Sequence, residues 1–527
     1  MSKTRNWKRL ITGALVGLSA LATCGSTLSF YEESLPTTLN PLYAASMVDH
    51  RVNELVFDRL YYHDPITNEL ASRLVTQWEL VEQGKAVRLT LRKDIKWQDG
   101  KNFRADDVCF TVRAMLDPGT TSPIAEGYRS VFTGCEVEGK DQAIVRFTKI
   151  FHNPLNRLGF YVLPQHRFDG DAVPPDHDFS SHPTGTGPAS GNLGSKQVNF
   201  QGIQNSHHQP SIAQLSLLEA QDPLVQVKTL LNNGVQGIIA VPPPYRAEVS
   251  TSDDMSLKGY DLRSWWFIAA DQTKPFLKDK KVRQAINLLL DRTDLRQLSI
   301  GVKPGEQNSP CEFISGPFVQ ASPYYNHDVP VSARSDKDRA LALLTEAGLT
   351  DVGGRWHYNG APITLRIGMK AALDNEAPDL LSQIGNQLGQ AGFDRQTYKL
   401  SEDEWNTQAI TGQLSENYDL LIGKWSFGLV EDVNALFHTR RDGRGSKNIF
   451  NYSNPQVDAL LAQYESAKTD TQARDAYHKL HSMLAEDLPY LFLWKLDTKS
   501  AWRTDVRGTT IAPYYYWTEI DNWKYGG

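Results

Sequence analysis

The chain carries no excess of positive charge. Its 55 Lys and Arg stand against 61 Asp and Glu, a net charge of −6. Binding of a polyanion through phosphate neutralisation therefore has no footprint, and nucleic acid is excluded as the main partner. Cysteine is scarce: Cys24, Cys109, Cys135 and Cys311 are the four. The longest early apolar run, residues 10–22, has 13 positions, short of the roughly 20 that span a bilayer. No later stretch reads as transmembrane, and no internal repeat or low-complexity tract stands out. Catalytic signatures are missing too. There is no Gly-x-Ser-x-Gly elbow and no His-Glu-x-x-His, so neither an activated serine nor a zinc hydrolase is signalled. Gly185-Thr186-Gly187-Pro188 lacks the Lys-Ser/Thr pair of a phosphate loop.

What is present begins with an export signal. Lys3, Arg5, Lys8 and Arg9 precede the apolar run, and Ala20-Leu21-Ala22 offers small residues for cleavage. Leu21-Ala22-Thr23-Cys24 has the form of a lipoprotein box, with Thr23 where a smaller residue is usual. Export permits disulfides. Cys109, in a helix opened by Ala105-Asp106-Asp107, and Cys135, in the next strand, read either as a local bridge or as two buried thiols. The 527 residues exceed one core, so two or three domains are expected. Hydrophobic content of 40% and charged content of 22% are those of a soluble globular chain. The 12 Trp and 21 Tyr supply either core packing or a stacked cleft.

Periodicity organises the rest. Residues 27–30, 87–91, 143–147, 364–369 and 420–423 alternate or run apolar as strands do. Residues 52–60, 336–347, 375–389, 455–466 and 472–488 carry helical spacing, and Val282, Ala285, Ile286, Leu289 and Leu290 form one apolar helix face. Residues 215–241 read strand, helix, strand, while 180–192 is a Pro/Gly/Ser-rich connection. Strands alternating with helices imply an α/β chain. His207-His208 would point apart on a strand and reads as a solvated loop, and His478 with His481, at i and i+3, lacks the partners of a helical metal site.

The run Leu91-Arg92-Lys93-Asp94-Ile95-Lys96-Trp97-Gln98-Asp99-Gly100, followed by Ala105-Asp106-Asp107-Val108, resembles a signature of the family 5 extracellular solute-binding proteins of ABC transporters. Leu39-Asn40-Pro41-Leu42, Gly185-Thr186-Gly187-Pro188 (with Ala189 in place of Tyr) and Val282-Arg283-Gln284-Ala285-Ile286-Asn287 closed by Asp291-Arg292 resemble further family motifs, in the family's order. The resemblance implies a two-lobed α/β periplasmic-binding-protein fold, type II and cluster C-like, with ligand captured between lobes by hinge closure. It assigns 1–24 to the signal, 25–50, 165–261 and 490–527 to a discontinuous first lobe, 51–164 to a small inserted domain and 262–489 to the second lobe. It implies a peptide as ligand, ABC permease and ATPase subunits as partners, a monomer, and neither cofactor nor catalysis. It places the protein in the periplasm or cell envelope, with Cys24 as an optional lipid anchor.

The same resemblance points to the cleft. Residues 424–433 match the loop where dipeptide binders hold the peptide ammonium with an Asp. Gly428 stands at that position, and Glu431 or Asp432 are the nearest carboxylates. The helix that carries a carboxylate-binding Arg in those proteins has Pro378 and Asp379 there and no cation. Both ends of a dipeptide clamp are thus missing, which points to longer peptides held by main-chain pairing, to an oligosaccharide stacked on Trp rings, or to a metal chelate; a secreted hydrolase remains as the enzymatic rival. Trp425 is the leading contact, followed by Phe427, Trp405 and the pair Trp265-Trp266, one of which would face core and the other cleft. Asp271, where the family often has Asn, completes the set.

Overall fold

A computed structural model describes residues 27–64, 69–151, 153–219, 222–260, 263–301, 311–427, 431–441, 447–511 and 515–526. Cys24 and Gly428 lie outside them. Two large sheets dominate. The first has seven strands in the order Met255–Tyr260, Thr498–Arg503, Gly237–Ile238, Thr27–Tyr31, Gln214–Leu218, Gln197–Gly202, Ala189–Asn192. Thr27–Tyr31 lies parallel to both Gln214–Leu218 and Gly237–Ile238. The second has six strands in the order Cys311–Phe313, Tyr490–Leu496, Ser264–Ala270, Leu420–Ser426, Thr364–Lys370, Asp394–Leu400. A separate antiparallel sheet, Val75–Val81, Ala86–Leu91, Gln142–Phe147 and Phe132–Val137, forms a small unit beside the first.

The motifs that carried the resemblance are structural knots. Trp97 is buried, and its indole donates to Asp107 at 3.1 Å. The same carboxylate accepts from the main chain of Arg104 and Gln165, so one Asp caps the helix Ala105–Leu116 and anchors a distant loop. Gln98 bonds Gly185, Gly187, Ala189 and Val56 through its side-chain amide. Glycine is required there by close approach: a Cβ on Gly185 would sit 1.7 Å from the Val56 carbonyl oxygen. Arg283 is buried and donates to the carbonyls of Leu277, Lys278, Asp487 and Leu488, closing the C-terminus of the helix Asp470–Asp487. Asp291 accepts from the Asp294 amide and caps Arg292–Ile300.

Cys109 and Cys135 form a disulfide, S–S 2.02 Å, tying Ala105–Leu116 to Phe132–Val137. Cys311 is buried at the edge of the second sheet.

The second sheet is covered on both faces. Trp266, Ile268 and Ala270 pack with the helices Lys280–Leu289, Lys337–Glu346 and Leu380–Gln390. Trp265, Phe267 and Ala269 pack on the other side with Pro455–Glu465 and Asp470–Asp487. That is why Ser264–Ala270 is buried at every position. Tyr490–Leu496 pairs with Ser264–Ala270 in this sheet, so the chain returns to the first sheet at Asp497, seven residues beyond the expected 490. The strand's Leu, Phe and Trp side chains belong to the second core on both faces, and this holds it there.

Candidate functional site

Two strand-to-strand passages join the large sheets: Tyr260 to Ser264, and Leu496 to Thr498 through Asp497. Register fixes what faces this crossing. Tyr260 pairs with Thr498, and the carboxyl ends of Thr27–Tyr31 and Gly237–Ile238 lie at the same end of the first sheet. On the other side Ser264 pairs with Ser426 and Trp265 with Lys495, so the carboxyl ends of Leu420–Ser426 and Thr364–Lys370 open on the hinge as well. Ligands of open α/β sheets bind at such carboxyl ends.

The first wall is charged and aromatic. Glu32, immediately after Thr27–Tyr31, is buried and paired with Arg51 through two bonds of 2.8 Å. Glu33 lies 3.9 Å from the same guanidinium, and the Tyr260 ring 6.0 Å from it. Burial pushes the Glu32 carboxyl up, against the pull of Arg51. Glu54, three residues on from Arg51 along the helix Met47–Val56, accepts from the Trp517 amide at 3.0 Å. Burial raises Glu54 to about 7, although Arg59 favours its charged form. The Arg59 guanidinium lies between the rings of Tyr161 and Tyr515, 4.1 and 4.8 Å from their centres.

The second wall begins with Arg263, 3.2 Å from Glu431. Ser322 donates to the other Glu431 oxygen. Burial raises the Glu431 carboxyl, with Arg263 acting against it. Lys424 pairs with Glu376 at 2.9 Å. Trp425 is half-buried, 6.5 Å from Phe427, and its indole nitrogen has no hydrogen-bond partner among the described residues. The hydroxyls of Tyr260 and Tyr515 share that condition. Buried polar groups are normally paired, but unpaired indoles also occur in the cores, at Trp265, Trp266 and Trp494, so the pattern by itself does not single out the crossing.

Contacts also bridge the lobes. Arg157, on the small unit's exit, lies 3.5 Å from Asp432, and Lys149 pairs with Glu465 on the helix Pro455–Glu465. Arg246 of the first lobe donates to the Val241 carbonyl. Burial lowers its pKa to about 10, while Glu376 and Asp497 at the far wall and hinge oppose that.

The expected residues divide accordingly. Trp425, Glu431 and Asp432 lie at the crossing. Phe427 is only 6% exposed and packs on Phe318 and Trp265. Trp265 and Trp266 are both 0% exposed; the expectation that one faces a cleft fails because helices cover both sides of their strand. Asp271 is buried and bonds the amide and hydroxyl of Thr273, with Lys274 at 3.4 Å. It shapes a turn at the far end of its strand. Trp405 is half-buried beneath the Lys370 ammonium, 5.3 Å from the ring centre. His207 and His208 are not a solvated loop: both rings converge on buried Asp58. Sequence reading missed Glu32, Arg51, Arg59, Arg263 and Tyr515. The spacing of Arg51 and Glu54 on one helix face was visible, but the pairing of Arg51 with Glu32 across a loop and of Glu54 with the distant Trp517 was not.

The sequence model for bacterial extracellular solute-binding proteins, family 5, matches residues 69–447. The chain belongs to that family. Among the relatives of this solute-binding protein, oligopeptide-binding protein AppA of Bacillus subtilis is 22% identical, covering 93% of this chain and 89% of its own. Probable di/tripeptide-binding protein 5 of Pseudomonas aeruginosa is 23% identical, covering 94% and 95%. The solved structure of B. subtilis AppA in complex with a nonapeptide superposes with a TM-score of 0.83 at 20% identity, over 95% of this chain and 99% of that one. The family's two-lobed binding-protein fold is therefore the fold of this chain.

Proposed function

We propose that this family 5 protein captures a peptide in the cleft between its lobes and delivers it to the permease of an ABC importer, with no chemical step. The observation that carries the reading is the fold itself, two large sheets joined by two passages, which follows a nonapeptide-bound relative along nearly its whole length. The form of the charges favours a longer peptide over a dipeptide. Glu431, the carboxylate nearest the expected ammonium site, already has Arg263 and Ser322. The helix Leu380–Gln390 carries no Lys or Arg. With neither terminus offered a dedicated ion partner, affinity must come from the peptide main chain and from side-chain stacking, with Trp425 as the principal ring.

Closure follows from the same layout. The lobes turn about the crossing between the two large sheets, and Arg157–Asp432 and Lys149–Glu465 engage as they meet. The ligand shifts the population by its differential affinity for the closed form. Residues 51–164 act as an inserted unit of the first lobe and carry Arg157 and Lys149 to the rim. Export by the basic and apolar leader, with or without lipid on Cys24, puts this cleft outside the cytoplasm.

A thermal-shift screen tests the reading. A peptide at about 100 times its dissociation constant adds roughly 2.7 kcal/mol, visible as a rise in Tm. Shifts with peptides of graded length, with the peptide recovered intact, are expected. Shifts confined to oligosaccharides or metal chelates overturn the peptide assignment, and loss of intact peptide over time overturns the absence of chemistry.

A further inference from the structure

Away from the hinge wall, at the exit of the helix Met47–Val56, three donor side chains converge. Asp58 Oδ2 lies 2.9 Å from His207 Nε2 and Asp58 Oδ1 lies 3.0 Å from His208 Nε2. All three donor groups fall within 4.8 Å of one another. Their side chains are 4%, 1% and 2% exposed. Adjacent histidines point apart on a strand. Here Asn205 accepts from both the His207 and His208 amides, at 3.0 and 2.7 Å. That turn swings the two rings to the same side, 4.6 Å apart.

The geometry points to a divalent metal site, of the kind Zn2+ fills, formed by Asp58, His207 and His208. The second shell is the one that orients such ligands. His208 Nδ1 lies 2.7 Å from Asp521, a carboxylate that accepts from Nδ1–H and so turns the Nε2 lone pair toward Asp58. A lone pair and a carboxylate oxygen at 3.0 Å repel unless a proton or a cation lies between them. Thr186 donates to Asp58 Oδ2 at 2.9 Å and fixes the carboxylate. The separations of 2.9 and 3.0 Å, to different Asp58 oxygens, would open by a few tenths of an ångström to reach the edges of a tetrahedral ion bound at about 2.0–2.2 Å. A cavity of about 30 Å³ borders Asp58 and His208, though not His207, room for about one water beside the two. Its two guanidiniums are engaged elsewhere, Arg59 with the Gly159 carbonyl and Arg73 with the Thr518 carbonyl. Histidine nitrogen with carboxylate oxygen suits Zn2+ over the oxygen-only sites of Mg2+ or Ca2+. An ion here would join the helix exit, the loop at 205–209 and the turn Ile520–Asn522, behind Arg59 and Tyr515 of the cleft wall.

The competing state is a proton: a buried ion triad with His208 as the cation. His207→Gln separates the two, because the glutamine amide still donates to Asp58 but is a poor metal ligand. The full chain, without an affinity tag, is stripped with EDTA and titrated with Zn2+ against a chromophoric chelator. One equivalent bound by the wild type, a raised Tm, and at least about a 100-fold weaker affinity in His207→Gln and His208→Gln support the site. Failure of the wild type to take up Zn2+ at micromolar free metal overturns it, as does equal uptake by both variants. If a variant does not fold, Co2+ added to the wild type decides: intense tetrahedral absorption bands support the site, and their absence overturns it.

Discussion

Breaking the Cys109–Cys135 bridge should unfold the molecule in a way that reveals how independent the small antiparallel unit is. The two sulfurs close a loop with a sequence separation of 26. In the chain-entropy account, releasing a loop of that length costs about 3.5 kcal/mol at 25 °C. How far the melting temperature moves depends on the size of the cooperative unit. Unfolding entropy near 2.1 cal/mol/K per residue means about 0.2 kcal/mol/K for a unit of about 100 residues, and about 1 kcal/mol/K for about 500. The same 3.5 kcal/mol therefore lowers Tm by roughly 17 °C if the unit melts alone, and by only about 3 °C if the whole chain melts as one. Calorimetry of the wild type with and without reductant, alongside a Cys109→Ala/Cys135→Ala variant, reads this directly. The bridge lies between a helix and a strand of the unit that presents Lys149 and Arg157 to the second lobe, so a separate low transition would carry those rim contacts with it. An unchanged thermogram on reduction, with thiol titration proving the bridge open, would refute the reasoning.

Other perturbations follow from the site and the cores. Trp425→Ala should weaken peptide binding by about 1–3 kcal/mol while leaving the melting temperature of the free protein nearly unchanged, and Trp425→Phe should recover part of the loss in a calorimetric titration. Arg157→Gln should raise the peptide dissociation constant a few-fold and reduce its dependence on ionic strength, since the bridge to Asp432 is partly exposed; an unaltered salt dependence would remove that pair from closure. His481 is buried, donates or accepts at Ser315 and accepts from the Asn326 amide. Burial first, then His478 and His327, lower it to about 3. Its folded pKa lies below the unfolded value near 6.5, so its contribution is fully present above pH 6.5 and fades as pH falls from there toward 3. Chemical denaturation at pH 7 and 4.5 should show about 2–3 kcal/mol lost through this group, and His481→Gln should flatten that part of the profile.

The sequence disclosed the fold through motifs whose purpose proves to be structural. Trp97, Asp107, Gln98, Gly185 and Arg283 tie distant segments together, and a reader of the sequence meets them as recognisable motifs. Central strands of the second sheet followed from their apolar runs, as in Ser264–Ala270 and Leu420–Ser426, while short mixed strands of the first, such as Ala189–Asn192 and Met255–Tyr260, gave little periodicity. The passage at Asp497 was misplaced by seven residues because Tyr490–Leu496 is apolar throughout, and such a run fits either sheet equally well. The candidate site was legible in part. The loop at 424–433 was found through its likeness to a family loop. Trp265 and Trp266 were misjudged because alternation on a strand says which faces differ, not whether both are covered. Arg59 and Tyr515 escaped because their stacking joins positions hundreds of residues apart, and Glu32 and Arg51 because a charged residue shows no partner until the loop between them folds. The convergence of His207 and His208 on Asp58 was hidden for the same reason, compounded by a turn at Asn205 that reverses the usual divergence of neighbouring side chains.

The central claim is capture of a peptide between the lobes. Isothermal titration of the protein with defined peptides of increasing length, run at several temperatures, tests it most directly. The account predicts one peptide per chain, affinity that strengthens beyond the dipeptide, and a negative heat-capacity change as apolar surface is buried. Absence of binding by any peptide at millimolar concentration, with stoichiometric binding of an oligosaccharide or a chelate by the same preparation, would contradict it.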